Sequence, residues 1–334
     1  MKTSRTKNQV HNNIFITGGA GFIGSALVDF LSKRGWFVTI YDNFCLGQNI
    51  NSAHQQRSKN IRVVRGDILD LEKLTSAIKA ANPNFLLHLA AIHFIPFCQT
   101  EPELTDAVNV RGTQNVVTAM QRLGSGSRKI VFASSASVYG DSPDPSHEDN
   151  QPNPSGIYGK SKLRGEAIIK KFSEIYNIIR MFNVYGPGDT NPHLVPSILE
   201  QLQIGREIRL GNPTPRRDYV YITDVACAIA DVLDKGKTNQ IYNVGTGASH
   251  SVKDVAENIL RVSGQRKRVK LCFEEPDRMR KGETSSLCAC IDKIRQDTGW
   301  QPQISLTKGL ENILASKNRQ LVPPFSAKPM KTSR

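Results

Sequence analysis

Apolar positions fall along this chain in two alternating rhythms. Asn13-Ile14-Phe15-Ile16-Thr17 is a short apolar run ending in glycines, and it predicts a buried strand. Residues 22–33 then carry Phe22, Ile23, Ala26, Leu27, Phe30 and Leu31 at helical spacing. The alternation continues with strands at 37–41, 61–65, 85–89 and 129–133, and helices at 71–80 and 106–123. Unbroken apolar strands separated by helices predict a parallel sheet covered on both faces. Right-handed crossovers make it an α/β fold with a doubly wound parallel sheet, Rossmann-like in kind.

Beyond residue 185 the rhythm loosens. Pro187, Pro192, Pro196, Pro213 and Pro215 break the chain, and short helices are expected at 194–204, 251–262 and 306–315. We expect a main domain at 13–185, to which 218–248 returns. A smaller C-terminal lobe, the substrate side, takes 186–217 and 249–315. Residues 1–12 and 316–334 read as disordered basic tails.

The 334 residues are 39% hydrophobic, enough for a sizeable core, which excludes a wholly disordered chain. No stretch approaches about 18 apolar residues, so no membrane helix is expected. The polar first 12 residues lack the apolar core of a secretory signal. With 44 Lys+Arg against 30 Asp+Glu the formal charge is +14, which invites a polyanion partner. The charge is concentrated, however. Residues 1–12 carry +3, residues 261–281 carry +5 and residues 315–334 carry +5. The body between is nearly neutral, and no aromatic-basic interleaving supports nucleic acid. The tails share the pentapeptide Met-Lys-Thr-Ser-Arg, for which there is no physical account. Cys45, Cys98, Cys227, Cys272, Cys288 and Cys290 are scattered without a Cys-x-x-Cys pair. They read as thiols of a cytoplasmic protein with no zinc site.

Gly18, Gly21 and Gly24 lie three apart between the first strand and its helix. Glycine permits the tight turn and lets backbone approach a pyrophosphate, which the helix N-terminus stabilises. The second strand ends in Asp42, 18 residues after Gly24. A carboxylate there accepts the ribose hydroxyls and repels a 2′-phosphate, favouring NAD over NADP. Asp67 and Leu89-Ala90-Ala91 occupy the carboxyl edge of the same sheet, where ligands of such folds bind. Asp67 suits either the adenine amino group or a helix N-cap. Downstream, the fifth strand leads into Ser134-Ser135-Ala136-Ser137-Val138-Tyr139-Gly140, followed later by Tyr158-Gly159-Lys160-Ser161-Lys162. Tyr158 and Lys162 share a helix face. A nearby ammonium and a positive nicotinamide ring favour the phenolate that proton abstraction requires.

These motifs, in this order, resemble the extended short-chain dehydrogenase/reductases, specifically the nucleotide-sugar epimerases and dehydratases. The resemblance covers roughly residues 13–315. It also rests on Asp42-Asn43, Gly66-Asp67, His88-Leu89-Ala90-Ala91, Asn109-Val110-Arg111-Gly112-Thr113, Arg180-Met181-Phe182-Asn183-Val184-Tyr185-Gly186-Pro187, Arg217-Asp218-Tyr219 and Tyr242-Asn243-Val244-Gly245. It implies Ser135, Tyr158 and Lys162 as the catalytic triad. It implies NAD held by Gly18, Gly21, Phe22, Ile23, Gly24, Asp42, Asn43, Asp67, Ile68, Leu89, Ala90, Ala91 and Asn109, with Tyr158 and Lys162. A UDP-sugar would meet Ser135, Asn183, His193, Leu194, Arg217 and Arg280. The two guanidinium forks suit a diphosphate. Relatives are commonly homodimers joined through helices such as 106–123 and 158–171.

Family members that dehydrate resemble one another in placing Asp-Glu directly after the catalytic Ser or Thr. Ala136 and Ser137 stand here instead, close to the 4-epimerase form. The expectation is C4 epimerisation of a UDP-hexose. The alternatives are another reaction of the family (dehydratase, decarboxylase or 4-ketoreductase) or a non-catalytic NAD-binding regulator. Leu287 stands at a gatekeeper position and leaves the N-acetyl question open. Asn183 with Thr190 argues against a uronate. Only Asn177-Ile178-Ile179 separate Tyr176 from Arg180, shorter than in relatives. Either the catalytic helix ends near Lys171, or the sixth strand is shortened.

Overall fold

The computed structural model describes residues 12–45, 58–124, 128–141, 145–274 and 284–317. Strand β1 (Asn13–Thr17) is buried at four of five positions, as its apolar run requires. Helix α1 (Phe22–Ser32) follows the glycine loop and leads to β2 (Phe37–Asp42). Then come β3 (Ile61–Arg65), α2 (Leu71–Ala81) and β4 (Phe85–His88). These strands, with β5 (Lys129–Ser135), β6 (Tyr176–Met181) and β10 (Gln240–Val244), form one seven-stranded sheet. Its order is β10-β6-β5-β4-β1-β2-β3, with every pairing parallel.

Helices cover both faces. On one, Leu27, Val28 and Leu31 of α1 meet Val225, Ile229 and Val232 of α8 (Ile222–Lys235). On the other, Leu74 and Ile78 of α2 pack with Val116, Val117 and Met120 of α5 (Gly112–Gln121) and Ile169 of α6 (Ile157–Phe172). The order reverses between β1 and β4, so their carboxyl ends open the crevice where ligands of such sheets bind.

A second core belongs to the later chain. Helix α7 (Leu194–Ile204), β8 (Glu207–Leu210), β9 (Arg216–Tyr221), α9 (Val252–Val262) and α11 (Leu306–Lys317) share one apolar cluster. Here β9 pairs with β7 (Asn183–Tyr185), β11 (Ser249–Ser251) and β13 (Ser286–Leu287), while β8 pairs with β12 (Lys270–Phe273). The return to the main sheet therefore begins at Ile222, not at the expected Asp218. Residues 218–221 lie in the smaller sheet.

One further expectation needs revision. The helix expected at 106–123 is not one continuous α-helix. It comprises α4 (Pro102–Asp106), a π turn over Ala107–Arg111, and α5. The short α3 (Ile95–Thr100) precedes it and α10 (Asp292–Thr298) lies near the C-terminus; neither was anticipated. The abbreviated connection resolves in favour of the strand. Helix α6 stops at Phe172, and β6 keeps six residues in register with β5, from Ile130↔Tyr176 to Ser135↔Met181. Helix α11 runs to Lys317, two residues into the expected second tail, and residues 1–11, 275–283 and 318–334 lie outside the described residues.

Candidate active site

The glycine loop closes over the end of β1. Gly18 takes φ +72° and donates its N–H to the Tyr41 carbonyl at 2.9 Å. A Cβ there would come within 2.6 Å of the Ala90 nitrogen, and one on Gly24 within 2.4 Å of the Gly18 oxygen. Both sites demand glycine, one for its backbone and both for space. Gly21 precedes α1, whose N-terminus takes no side-chain cap, so Phe22 and Ile23 begin the helix beside the crevice. Both of these side chains pack into the second core. Leu89 and Ala90 direct their N–H groups to the Thr17 carbonyl at 3.0 and 3.1 Å, bringing the end of β4, with Ala91 next, against the loop.

Asp42 ends β2, and its carboxylate accepts from the Ala20 and Phe44 N–H groups at 3.0 and 2.8 Å. It therefore braces the glycine loop from the tip of the second strand. Asn43 donates to Asp67 Oδ2 at 2.9 Å, and Asp67 Oδ1 accepts from Leu69 N–H at 2.8 Å. Asp67 is not the cap of the following helix; that is Asp70, which accepts from Lys73 N–H at 3.0 Å. A glycine cradle that a Cβ would fill, an uncapped helix start and a carboxylate at the tip of the second strand fit a dinucleotide.

Two of the expected cofactor residues also make contacts within the protein. Ile68 buries its side chain in the core, and its carbonyl accepts from Asn115 at 2.9 Å. Asn109, 2% exposed, engages Ile92 from both sides. Its Oδ1 accepts from Ile92 N–H at 2.8 Å, and its Nδ2 donates to the Ile92 carbonyl at 2.8 Å and to Ser161 Oγ at 3.0 Å. Asn109 thus holds the loop after β4 against α6, from within the π turn. His88, also buried, bridges Thr17 Oγ1 at 2.7 Å and Thr113 Oγ1 at 3.0 Å. Thr113 already donates its hydroxyl proton to the Asn109 carbonyl at 2.6 Å. It therefore accepts from His88 Nε2–H, and Thr17 donates to His88 Nδ1. Burial, assisted by the Lys162 charge, lowers the His88 pKa to about 3, so the ring is neutral.

The structure brings Ser135, Tyr158 and Lys162 together. Ser135 ends β5, where its Oγ accepts from Ser137 N–H at 3.1 Å. Gly159 lets α6 press onto this turn, since a Cβ there would lie 2.4 Å from the Ser137 carbonyl oxygen. Ser135 Oγ donates to Ser137 Oγ at 3.2 Å and lies close enough to Tyr158 to favour its ionised form. Lys162, 4% exposed, donates to the Ala133 carbonyl at 2.8 Å. Burial lowers its pKa to about 8, opposed by Cys98 and Glu166. Desolvation raises the Tyr158 pKa, and Ser135 opposes it. The residues alone therefore do not produce the phenolate anticipated from the Lys162 ammonium.

The other expected substrate residues that the structure describes lie on the later elements of the chain. Asn183 is exposed on β7, opposite Tyr219 of β9. Arg217 sits on β9 in register with Leu287, and its Nη1 donates to the Arg216 carbonyl at 2.8 Å. Leu287 is buried with Ala136, Val138, Tyr139 and Phe182, so it borders the serine turn. His193 and Leu194 open α7, and His193 Nδ1 meets Asp189 Oδ2 at 2.9 Å. Asn191 donates to His93 Nε2 at 3.2 Å, linking this loop to the one after β4. Arg280 lies outside the described residues. Among the described residues no cluster suits a metal ion, and no helix is long and apolar enough to cross a membrane.

Sequence reasoning passed over several polar residues here. Glu166 and Arg180 form a buried ion pair, and Asn243 accepts from Tyr139 O–H at 2.7 Å. Asp218 takes N–H groups from Thr246 at 2.8 Å, Gly247 at 2.9 Å and Ala289 at 3.2 Å. The available signal was a charged or amide residue inside an otherwise apolar strand or on an inward helix face.

Known proteins share this arrangement. A family model described as GDP-mannose 4,6 dehydratase matches residues 15–313. A UDP-glucose 4-epimerase of Mycolicibacterium smegmatis is 32% identical over 306 residues, covering 88% of this chain and 95% of its own length. A UDP-N-acetyl-alpha-D-glucosaminuronate decarboxylase of Bacillus cytotoxicus is 29% identical, covering 90% of this chain and 95% of its own. The crystal structure of Thermus thermophilus UDP-glucose 4-epimerase, a complex with NAD, matches with a TM-score of 0.80 at 29% identity. That match covers 92% of this chain and 99% of the other.

Proposed function

We propose that this chain, which belongs to the extended short-chain dehydrogenase/reductase family of NAD-dependent nucleotide-sugar epimerases and dehydratases, inverts C4 of a UDP-hexose through a transient 4-keto sugar. The observation that carries the choice of reaction is the Ser135–Tyr158–Lys162 grouping followed by Ala136 and Ser137. Neither of those two side chains can remove a C5 proton or protonate a leaving hydroxyl, as the dehydratase carboxylates do.

Gly18, Gly21, Gly24, Asp42 and Asp67 would hold NAD, which supplies a reversible hydride acceptor for C4. Tyr158 takes the 4-hydroxyl proton at its phenolic oxygen and later returns it. Ser135 orients that hydroxyl and donates to the phenolate while Tyr158 is ionised. Lys162, charged below about pH 8, favours the ionised form from one side. The protein residues alone leave the phenol neutral, and the positive ring of bound NAD would supply the remaining bias toward its ionised form. Asn183, His193, Leu194 and Arg217 flank the sugar and its diphosphate, so the guanidinium takes the anionic part. The intermediate must turn over within the crevice for hydride to return to its other face.

Incubation with UDP-glucose, UDP-N-acetylglucosamine and UDP-glucuronate, with products read by NMR, tests the reading. Inversion at C4 of one of them supports it; loss of water or carbon dioxide assigns another reaction of the family. Tyr158→Phe should lower kcat by roughly 10²–10⁴-fold with NAD still bound. Activity surviving that substitution removes Tyr158 from the proton transfer.

A further inference from the structure

Helix α6 carries a second charge one turn beyond Lys162. Glu166 lies four residues on, and its side chain and that of Arg180 on β6 are each 1% exposed. Its Oε1 accepts from Ser134 Oγ at 2.6 Å and from Arg180 Nε at 2.9 Å, and its Oε2 from Arg180 Nη2 at 2.8 Å. Ser134 is the chain neighbour of Ser135. Arg180 also donates to the Glu148 carbonyl at 3.1 Å and lies over the Tyr139 ring at 4.7 Å. Tyr139 and Asn243 extend the network to β10, where Asn243 N–H reaches Glu148 Oε1 at 2.9 Å.

A buried ion pair is a poor source of stability, because an apolar pair of similar volume often does as well. Its presence beside the reacting groups calls for another reason. Lys162 is enclosed by the Phe132 ring, 5.1 Å from its Nζ, and by the Ala133 carbonyl on β5. From β4 and the loop after it, His88 and His93 face it as rings that burial keeps neutral. From α3 comes the Cys98 thiol, and on α6 itself lie Tyr158 and Glu166. Among these groups, Glu166 is the carboxylate. A buried ammonium with no counter-charge sheds its proton.

We propose that Glu166, clamped by Arg180 and Ser134, is a positioning residue that supplies the buried counter-charge of Lys162 and fixes the end of β5 that bears Ser135. This rests on the reading of Tyr158 and Lys162 as the reacting pair. Arg180 holds the carboxylate in one place, so its charge acts on Lys162 at a fixed distance. The tuning agrees in sign: burial lowers the Lys162 pKa to about 8, and Cys98 and then Glu166 oppose that fall.

The test titrates Lys162 in the NAD-loaded protein by NMR of ¹⁵N-lysine, with the resonance identified by its absence in Lys162→Met. The variant is Glu166→Gln/Arg180→Leu, which removes both charges together and keeps an acceptor for Ser134. Its Lys162 midpoint should fall by about one pH unit from the wild-type value. The basic limb of kcat should move down equally, with KM changed less than about twofold. Glu166→Asp, which withdraws the charge by one methylene, should give a smaller shift of the same sign. An unchanged midpoint overturns the proposal, and so does a double variant that no longer folds, since either assigns the pair to the scaffold. The midpoint is read without sugar. Failure of every UDP-sugar to turn over would therefore reject the epimerase reading and leave this measurement intact.

Discussion

Burial acts on Tyr158 and Lys162 in opposite senses of charge but toward one result, the neutral form of each. It raises the phenol and lowers the ammonium to about 8. Lys162 keeps its proton below that value and loses it above, so the bias toward phenolate disappears as pH rises. We expect kcat on the accepted UDP-sugar to decline above about pH 8, approaching tenfold per unit. A profile flat from pH 7 to 10 shows that turnover does not need the Lys162 charge. Gly18 makes the complementary point for backbone. Gly18→Ala adds a Cβ at φ +72° within 2.6 Å of Ala90 nitrogen, while Gly35→Ala adds one at φ +79° with nothing within 4 Å. The second should cost only the left-handed strain, about 1–2 kcal/mol, with NAD retained. The first should add loss of bound NAD, read from absorbance of the purified protein together with its Tm. Equal behaviour of the two variants would falsify the close approach of the loop to β4.

At the scale of elements, Asn109 shows what periodicity conceals. The apolar spacing at 106–123 is real, yet five residues of it adopt i→i+5 turns. The change rotates the helix by less than its apolar stripe is wide, so the pattern still fits a regular helix. Asn109 sits in that turn and makes three hydrogen bonds to Ile92 and Ser161. Asn109→Ala leaves the Ile92 amide groups unpartnered and should destabilise by about 2–3 kcal/mol in urea unfolding. A loss under about 0.5 kcal/mol would mean the loop is held elsewhere. Five strands of the main sheet, β1 to β5, were legible as short apolar runs between helices, whereas β10 was not, because Gln240 and Asn243 interrupt its apolar positions. Ser135, Tyr158 and Lys162 were legible because short spacing on a strand end and a helix face fixes their neighbourhood. Strands β7, β11 and β13, of two or three residues each, were not, because their partners lie far away in sequence and register is set by tertiary packing. Glu166 was hidden for a related reason: a Glu four residues after a Lys reads as an exposed helix pair.

At the scale of the molecule, the +14 charge ceases to point to a polyanion. Residues 1–11 and 318–334, which carry most of the tail charge, lie outside the described residues, while Arg217 stands on β9. What sets the position of Arg217 is its neighbour Asp218, wholly buried and ringed by N–H donors from Thr246, Gly247 and Ala289. Burial raises the Asp218 pKa and these donors oppose it, so the carboxylate ties β9 to the loop after β10 and to the chain beyond β13. Asp218→Asn turns one acceptor oxygen into a donor facing those N–H groups, and should cost about 2–4 kcal/mol. Because β9 belongs to the smaller sheet, the loss should fall on substrate rather than cofactor. KM for the UDP-sugar should rise about tenfold while NAD content stays at the wild-type level, both measured on one preparation. NAD lost in parallel with the rise in KM would show that the two sheets loosen as a single unit, and that Asp218 serves the whole fold rather than the sugar side of the crevice.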